Sequence, residues 1–519
     1  MKNLRLDLAV DIHPGRTPLR RPQGETPMPP IRHPASCRGS RHVPVAAIAV
    51  AALLAGTARA GWETPPVPSR PSAPVDVAAV GATASAPPAG IPEDLLKPGA
   101  TITLAQVVDI ALQNNPLTRA SYLQALSAAA QLGSKRAPYY PSVDVAATGT
   151  RSNQLSTDPT NPASGDVYGA SVEVGYLLLD LGGRAANADD ARYALIAADW
   201  SHNATIQNVI LGVETTYVQY VDAKAQLEAA QASVKSSQTA LEAANGRHAA
   251  GVGTIADVLQ AKTALSQAQL TLQGLEGAVL ALRGSLATAM GLPADTPYDV
   301  GTLPIDVPLE RGVNAVEQLT ATGRARRPDL AAARALALKA DAHVQAVRSE
   351  GLPTLSLAAA AGRSYYSPAP AGTPTDSWSA GLVLAFPLFT GFANSYNVEK
   401  ARADAGVARA QADSLEQQVL LEVWTSYYAF ETATQLVRTS RDLLASAEQS
   451  ERVTFGRYKE GVGTILDLLA AQAALASARS QEIQARAGWF VALAQLAHDT
   501  GTAAPLDQPL SVIKGSATP

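Results

Sequence analysis

The chain has 519 residues, of which 47% are hydrophobic, only 5% aromatic and 17% charged, whereas an ordinary soluble domain has about 25% charged residues. The formal net charge of −4 and the single cysteine exclude a basic nucleic-acid surface, a disulfide framework and a cysteine-rich metal site. Abundant alanine with few bulky side chains favours long, closely packed helices, because one solid core of this length would need large side chains to fill it.

Catalytic and metal-ligating constellations are not found in the sequence. Its seven histidines are scattered, without the short His-x-x-x-His or His-Glu spacing of a zinc site. Neither a nucleophile–base pair, a phosphate-binding loop nor a pair of catalytic acids can be recognised. We therefore predict that the protein is not an enzyme and that it has no cofactor-binding or metal site.

In chain order, the first 60 residues have the organisation of a secretory signal peptide. An apolar run over 43–58 follows several arginines and ends in Ala-Arg-Ala at 58–60, a small-residue cleavage pattern. This run is shorter than the roughly 20 residues that a transmembrane helix needs. The stretch before it is long, so Met28 is an alternative start. Removal of 1–60 takes away nine basic and three acidic residues and leaves an exported chain of net charge −10.

Two copies of one sequence unit follow a Pro/Ala-rich linker over 61–100. The segment GRHAAGVGTIAD at 246–257 recurs as GRYKEGVGTILD at 456–467, an offset of 210 residues. The same offset pairs residues farther upstream, and it becomes 212 near the start of each unit. An internal repeat of this length predicts two structurally equivalent halves.

Each repeat is predicted to contain a strand hairpin and then a very long helical hairpin. Apolar residues alternate over about ten residues in two segments of each repeat, which indicates strands, and Tyr168, Tyr176, Trp378 and Phe386 lie at the ends of the apolar stripes. Such strands have the length of tilted transmembrane strands, and their terminal aromatic residues are typical of interfacial girdles. The predicted organisation is a signal peptide region at 1–60, a linker at 61–100, a first repeat at 101–290 (a helix, strands 141–150 and 167–178, helical hairpin 184–289), an irregular equatorial connector at 291–312, a second repeat at 313–500 (a helix, strands 353–362 and 377–388, helical hairpin 392–498), and a C-terminal tail at 501–519.

These elements predict a mostly α fold with membrane β-strands. Four strands cannot close a barrel, since the smallest have about eight, and open strand edges are not tolerated in lipid. Three chains would supply twelve strands, continued by a periplasmic tube of long α-helical coiled coils. We therefore expect a homotrimer in contact with outer-membrane lipid in a Gram-negative bacterium, with Glu173 and Ser356 on the lumen side of the barrel.

The tandem strand–strand–long-helix units at about 101–500, with the repeated Arg-x₃-Gly-x-Gly-Thr-x₂-Asp turns and Arg327-Pro328-Asp329-Leu330, resemble the TolC family of outer-membrane channels. The resemblance implies a trimeric conduit that works with a periplasmic membrane-fusion adaptor and an inner-membrane transporter. It also implies an adaptor contact at the helix tips and a closed periplasmic gate. Applied to this chain, these roles fall on the adaptor-contact tips Gly251, Val252, Gly253, Thr254, Gly461, Val462, Gly463 and Thr464, on the gate residues Asp257, Asp467 and Tyr458, and on the repeat-motif arginines Arg247 and Arg457.

Each of these assignments has a structural alternative. Asp257 and Asp467 have the spacing of helix-capping residues after a threonine, Tyr458 has the position of a packing aromatic, and the two arginines could form interhelical ion pairs. Gly463 and Ala470 occupy positions where the best-known family member has a linking arginine and a second aspartate. The gate of this chain is therefore expected to be weaker or built differently.

Three functions are compatible with the sequence. The first is the exit duct of a tripartite efflux system for small toxic molecules or drugs, loosely similar to fusaric-acid-type resistance channels. The second is the outer-membrane channel of a type I protein secretion system. The third is a periplasmic coiled-coil scaffold without a pore, which the alternating strand stripes disfavour.

Overall fold

The computed structural model describes residues 101–153, 164–302, 315–367 and 374–503. The predicted signal peptide region, the linker and most of the C-terminal tail lie outside the described residues. Within these ranges the chain is mostly helical, with one four-stranded sheet and one two-stranded bridge. The elements are β1 Thr101–Ile102, α1 Leu104–Asn114, α2 Pro116–Arg136, a 3-10 turn Ala137–Tyr139, β2 Ser142–Asn153, β3 Ser164–Leu179, α3 Gly183–Ala249, α4 Ile255–Ala289, β4 Asp299–Val300, α5 Val316–Arg326, α6 Pro328–Ser349, β5 Thr354–Ser367, β6 Thr375–Ala385, α7 Ala393–Lys459 and α8 Ile465–Asp499.

The sheet is antiparallel and has the order β2-β3-β5-β6. Its fourth strand is shorter than the 377–388 expected from the sequence, because β6 ends at Ala385. Pro387 follows and has no N–H to donate to a ladder, so Phe386 and Leu388 lie beyond the strand. The expectation that Phe386 ends a strand stripe was therefore wrong, whereas Trp378 lies within β6.

The helical hairpins have the same lengths in both repeats. Helices α3 and α7 each contain 67 residues, and α4 and α8 each contain 35, so the longer limb extends about 100 Å at 1.5 Å per residue. Buried alanines recur along all four helices, which allows their backbones to approach closely. Among the described helices, none combines the length and the apolar character needed to cross a membrane.

Three successive layers of the structure share one order of elements. Below the sheet, the helices that contact one another follow the order α2-α3-α6-α7, and toward the hairpin tips the order is α4-α3-α8-α7. In every layer the first-repeat element at the edge is β2, α2 or α4, and the second-repeat element at the other edge is β6 or α7. The middle of each layer is formed by β3 or α3 packed against its second-repeat neighbour.

An equatorial region joins the two repeats. Strand β4 lies within the connector 291–312 that was expected to be irregular, and it forms a parallel bridge with β1 that pairs Thr101 with Asp299. Together with α1 it packs on the middle of α3 in the largest apolar cluster, which includes Ile102, Val213 and Leu286. Helix α5 packs on the corresponding part of α7 through Leu319. The connections of the repeats are thus folded against the middle of the long helices.

Candidate functional site

The two hairpin tips have the same backbone. In the first tip Gly251 has φ +75°, the Val252 N–H donates to the Arg247 carbonyl at 3.0 Å, and the Gly251 N–H donates to the His248 carbonyl at 2.9 Å. This is a Schellman C-cap, in which glycine adopts the left-handed conformation without a Cβ penalty. Gly461, with φ +81°, makes the equivalent bonds in the second tip.

The second glycine of each tip has a different role. A Cβ added to Gly253 would lie 3.1 Å from the Cβ of Arg247, and one added to Gly463 would lie 3.1 Å from the backbone nitrogen of Tyr458. Neither glycine has a positive φ, so the requirement is a close approach between the turn and the end of the preceding helix. The position at which the best-known family member has a linking arginine is therefore sterically suited to glycine here.

Asp257 and Asp467 form capping boxes at the starts of α4 and α8. The Asp257 N–H donates to Thr254 Oγ1 at 3.2 Å, and the Thr254 N–H donates to Asp257 Oδ2 at 2.9 Å. Thr464 and Asp467 repeat the arrangement, with the hydroxyl of Thr464 also donating to Oδ2 of Asp467 at 2.8 Å. These hydrogen bonds from Thr464 hold the pKa of the Asp467 carboxyl below its usual value. Capping is thus a role that both aspartates have, and their role in a gate stays a prediction.

Tyr458 is buried between the two hairpins of one chain. Its side chain is 3% exposed and packs with Ala240 and Ala244 of α3 and with Ile465 and Leu468 of α8. Burial raises the pKa of its phenol above the ordinary value, and the nearby Arg247 guanidinium opposes this. The structure therefore places the predicted gate tyrosine in a packing position.

Arg247 lies over Tyr458 and joins the two tips. Its Nη1 donates to the Tyr458 carbonyl at 3.1 Å, and its guanidinium carbon lies 5.1 Å from the centroid of the Tyr458 ring. This is a cation–π contact combined with a hydrogen bond to a carbonyl, rather than the interhelical ion pair considered from the sequence. Arg457, the equivalent residue of the second repeat, is exposed.

Apolar side chains project from both tips. Val252 is 66% exposed and Val462 is 69% exposed, and Ile255 and Leu466 beside them are also exposed. Isolated exposed apolar residues are common, but four of them at one end of the molecule favour a contact surface. An adaptor contact at these residues remains a prediction.

Glu173 and Ser356 lie on the same face of the sheet. Glu173 pairs with Ala360 across β3 and β5, and Ser356 is four residues before Ala360 on β5, so both side chains are on that face. Asp144 of β2 pairs directly with Glu173. The position of Asp144 opposite Glu173 cannot be predicted from local sequence, because it depends on the register of the hairpin. Two carboxylates in facing positions are compatible only with a well-solvated surface.

The Arg-Pro-Asp-Leu motif lies at the equator rather than at a tip or in the sheet. Arg327 is buried, donates to Asp329 and Glu422, and lies 3.7 Å from Oδ1 of Asp499. These contacts join the start of α6 to α7 and to the end of α8. His498 extends the network by contacting Asp499 and Asn208 of α3. The motif therefore ties the second repeat together and links it to the first.

Comparison with known families gives the class of this protein. The family model described as outer membrane efflux protein matches residues 107–292 and 321–502, which are most of both repeats. The chain belongs to this family, whose members are transport proteins. It is an outer-membrane protein that extends into the periplasm, and its relatives include proteins named as the outer membrane proteins of efflux pumps.

Individual relatives and one solved structure agree with this class. Protein CyaE of Bordetella pertussis is 28% identical over 383 residues, covering 74% of this chain and 80% of that protein. Outer membrane protein OprJ of Pseudomonas aeruginosa is 28% identical over 446 residues, covering 82% and 90%. The crystal structure of a membrane protein from Pseudomonas aeruginosa matches with a TM-score of 0.69 at 25% identity, covering 79% of this chain and 92% of that one.

Proposed function

We propose that three copies of this chain form one exit duct that carries small toxic molecules or drugs across the periplasm and the outer membrane. The observation that carries the proposal is the order of the sheet, in which β2 and β6 are unpaired edges. Unpaired backbone groups are very costly in lipid, so β6 of one copy must pair with β2 of the next. Such head-to-tail pairing closes into a ring. Two copies would give eight strands, a barrel whose own side chains fill its interior, whereas three leave a channel.

The edge helices support the same closure. Large apolar side chains of α4 and α7 are left on the surface of the single chain, and an apolar surface of this extent is typical of an interface. These side chains are distributed along α4 and α7, the two edge helices of the layer toward the hairpin tips. The exposed residues are Leu259, Leu270 and Leu280 on α4, and Leu421, Trp424, Leu436 and Leu443 on α7.

The two faces of the sheet support a membrane barrel with an aqueous interior. One face carries Val145, Val172 and Trp378 in one cross-strand row, and all three are exposed in the single chain. The opposite face carries Asp144 and Glu173 in facing positions, which would place acidic groups in the lumen. Lipid would contact the first face, and water and cargo would contact the second.

At the periplasmic end, the tips would meet the adaptor while the inner-membrane transporter supplies the energy. Val252 and Val462 are the exposed apolar contacts for the adaptor, and Asp257, Asp467 and Tyr458 belong to the narrow closed end. Small, apolar cargo is supported by relatives from Pseudomonas putida that are named as outer membrane proteins of a solvent efflux pump and a toluene efflux pump.

Conductance of the purified protein in a planar lipid bilayer tests the duct. We expect discrete conductance steps from the trimer, and a protein that gives none would be a scaffold. The cargo is tested with a deletion strain: sensitivity to solvents and drugs without loss of any secreted protein supports efflux. Loss of a secreted protein with unchanged sensitivity would instead identify a type I secretion channel.

A further inference from the structure

The contact between Arg247 and Tyr458 joins the two hairpins of one chain at their tips. Besides the 3.1 Å hydrogen bond and the position of the guanidinium over the ring, this tip seam includes Ile465, which is 3% exposed. A Cβ added to Gly461 would lie 3.4 Å from Nη1 of Arg247. The arginine of the first repeat is therefore accommodated closely by the turn of the second.

The 210-residue offset gives every member of this tip seam a counterpart. Arg457 is the counterpart of Arg247, His248 is that of Tyr458, and Ile255 is that of Ile465. All three counterparts are exposed in the single chain, and Ile255 is 57% exposed. Because both tips have the same backbone hydrogen bonds, the counterparts have the backbone geometry for a second copy of the seam.

The order of the helices shows which surfaces these counterparts occupy. Within the chain, the tip seam joins Arg247 of α3 to the second hairpin, in which Tyr458 lies at the end of α7 and Ile465 begins α8. The order of the layer is α4-α3-α8-α7, so α8 is the helix of the second hairpin that lies beside α3. By the 210-residue offset, the counterpart of α3 in the other repeat is α7, and the counterpart of α8 is α4. Helices α7 and α4 are the two edges of the layer, so the counterpart seam can form only between one chain and a second copy of it.

We propose that Arg457 donates a hydrogen bond to the backbone carbonyl of the partner subunit's His248 and lies over its imidazole ring, joining α7 of one chain to the tip of the partner subunit's α3–α4 hairpin. This inference rests on the proposed trimer and specifies how its periplasmic end is closed. It supplies the link between subunits that Gly463 cannot provide. In the seam between subunits, the imidazole of His248 takes the place of the larger phenol of Tyr458 and offers less contact area. The tips therefore separate at the boundaries between subunits when the duct opens.

Cysteine pairs test the placement of α7 against the partner subunit's α4. Nε2 of Gln472 lies 2.9 Å from Oγ of Ser236 within the chain, and the counterparts of these residues are Lys262 and Ser446, both exposed. In a background with Cys37→Ala, the pair K262C/S446C should give covalent dimers and trimers on a denaturing gel after treatment with a short bismaleimide. The matched pair S236C/Q472C should stay at the mass of one chain.

The possible results separate the two proposals. A trimer by light scattering that gives no products between subunits with K262C/S446C would overturn this seam and leave the proposed duct standing. A protein that is monomeric by light scattering in detergent would overturn both.

Conductance of the arginine variants tests the hydrogen bond itself. R457A should raise the resting conductance of the trimer, because loss of a charge-assisted hydrogen bond shifts the closed-to-open ratio about tenfold or more. R457K should raise the resting conductance less than R457A does, because lysine keeps the charge. H248A should raise it only slightly, because the acceptor is a backbone carbonyl that this variant keeps. Unchanged resting conductance in R457A, with the cross-linking yield also unchanged, would overturn the proposed bond.

Discussion

The turns at the two ends of the helical hairpins differ in how alike the repeats are. At the tips, GVGT occurs in both repeats with the same hydrogen bonds. At the strand-to-helix turns the two repeats also share a backbone conformation, with two consecutive residues of positive φ. These are Leu181–Gly182 in the first repeat and Gly391–Phe392 in the second, so the residue types at equivalent positions are different. The GVGT turn residues are thus shared at the tips, whereas the turn residues beside the sheet have diverged.

Position in the layer explains the divergence. The first strand-to-helix turn joins β3 to α3, which are inner elements, and Arg184 there donates to the Leu177 carbonyl at 2.7 Å, contacts Asp180 and lies over Tyr139. The second turn joins β6 to α7, which are edge elements. There Phe389 and Phe392 are 75% and 66% exposed and stack edge to face at 5.5 Å. The inner turn is stabilised within its own chain, whereas the edge turn leaves apolar surface exposed in the single chain, where the proposed trimer would cover it.

The largest expected effect is on the edge turn. F389S/F392S should weaken the trimer by about 4 kcal/mol per subunit boundary, since burial of a phenylalanine contributes about 2 kcal/mol. The melting temperature of the trimer on semi-native gels measures this. Tyr168→Ser, on the inner strand β3, is the matched control and should leave the trimer intact. An unchanged trimer in F389S/F392S would show that these rings do not lie at a subunit boundary.

A substitution in the inner turn should lower the free energy of unfolding of the single subunit. Arg184→Ala removes the charged partner of Asp180, whose side chain is 12% exposed, and leaves it only the backbone N–H of residue 184. Breaking such a pair costs about 3 kcal/mol. Chemical unfolding in detergent, followed by circular dichroism, measures the loss. Asn394→Ala, at the equivalent position of the second repeat, should cost less than about 1 kcal/mol, since Oδ1 of Asn394 has no partner among the described residues. Equal losses in the two variants would contradict the comparison.

At the tips, the two capping aspartates should behave alike. D257A/D467A is expected to raise the resting conductance and to weaken the capping of α4 and α8. T254A/T464A removes the threonine side of each capping box while keeping both charges. If the threonine variant opens the duct as much as the aspartate variant, capping alone explains the effect. An unchanged closed state in D257A/D467A would exclude the proposed gate role.

The smallest effect is the pH dependence of the second cap. The pKa of Asp467 is lower in the folded chain than the ordinary 3.8, so its stabilising contribution is present above that value and is lost as the pH falls through the folded pKa. The difference in melting temperature between the wild type and Asp467→Asn should therefore shrink below about pH 4. In a Thr464→Ala background the pH-dependent part of the difference should be smaller, because without the Thr464 hydrogen bonds the folded pKa of Asp467 lies closer to the ordinary value. A difference that stays constant down to pH 2 would contradict the assignment.

Much of the fold can be predicted from local sequence. The internal repeat, the alternation in the strands and the GVGT turns depend on side-chain periods and on φ preferences within a few residues. Both repeats contain a strand hairpin followed by a long helical hairpin, and β6 ends at Ala385 instead of 388 because Pro387 has no N–H to donate to a ladder. The capping boxes of Asp257 and Asp467 can be read from spacing for the same reason.

The environment of the candidate site was decided by the tertiary structure. Arg247 and Arg457 have nearly the same sequence neighbours, but one contacts Tyr458, 211 residues away, while the other remains exposed. Asp144 faces Glu173 because of strand register. Local sequence determines the conformation of each turn, since its energetics involve neighbouring residues. The order of the layers determines which copy of a motif is inside and which is at an edge, because that order depends on contacts between segments about 200 residues apart.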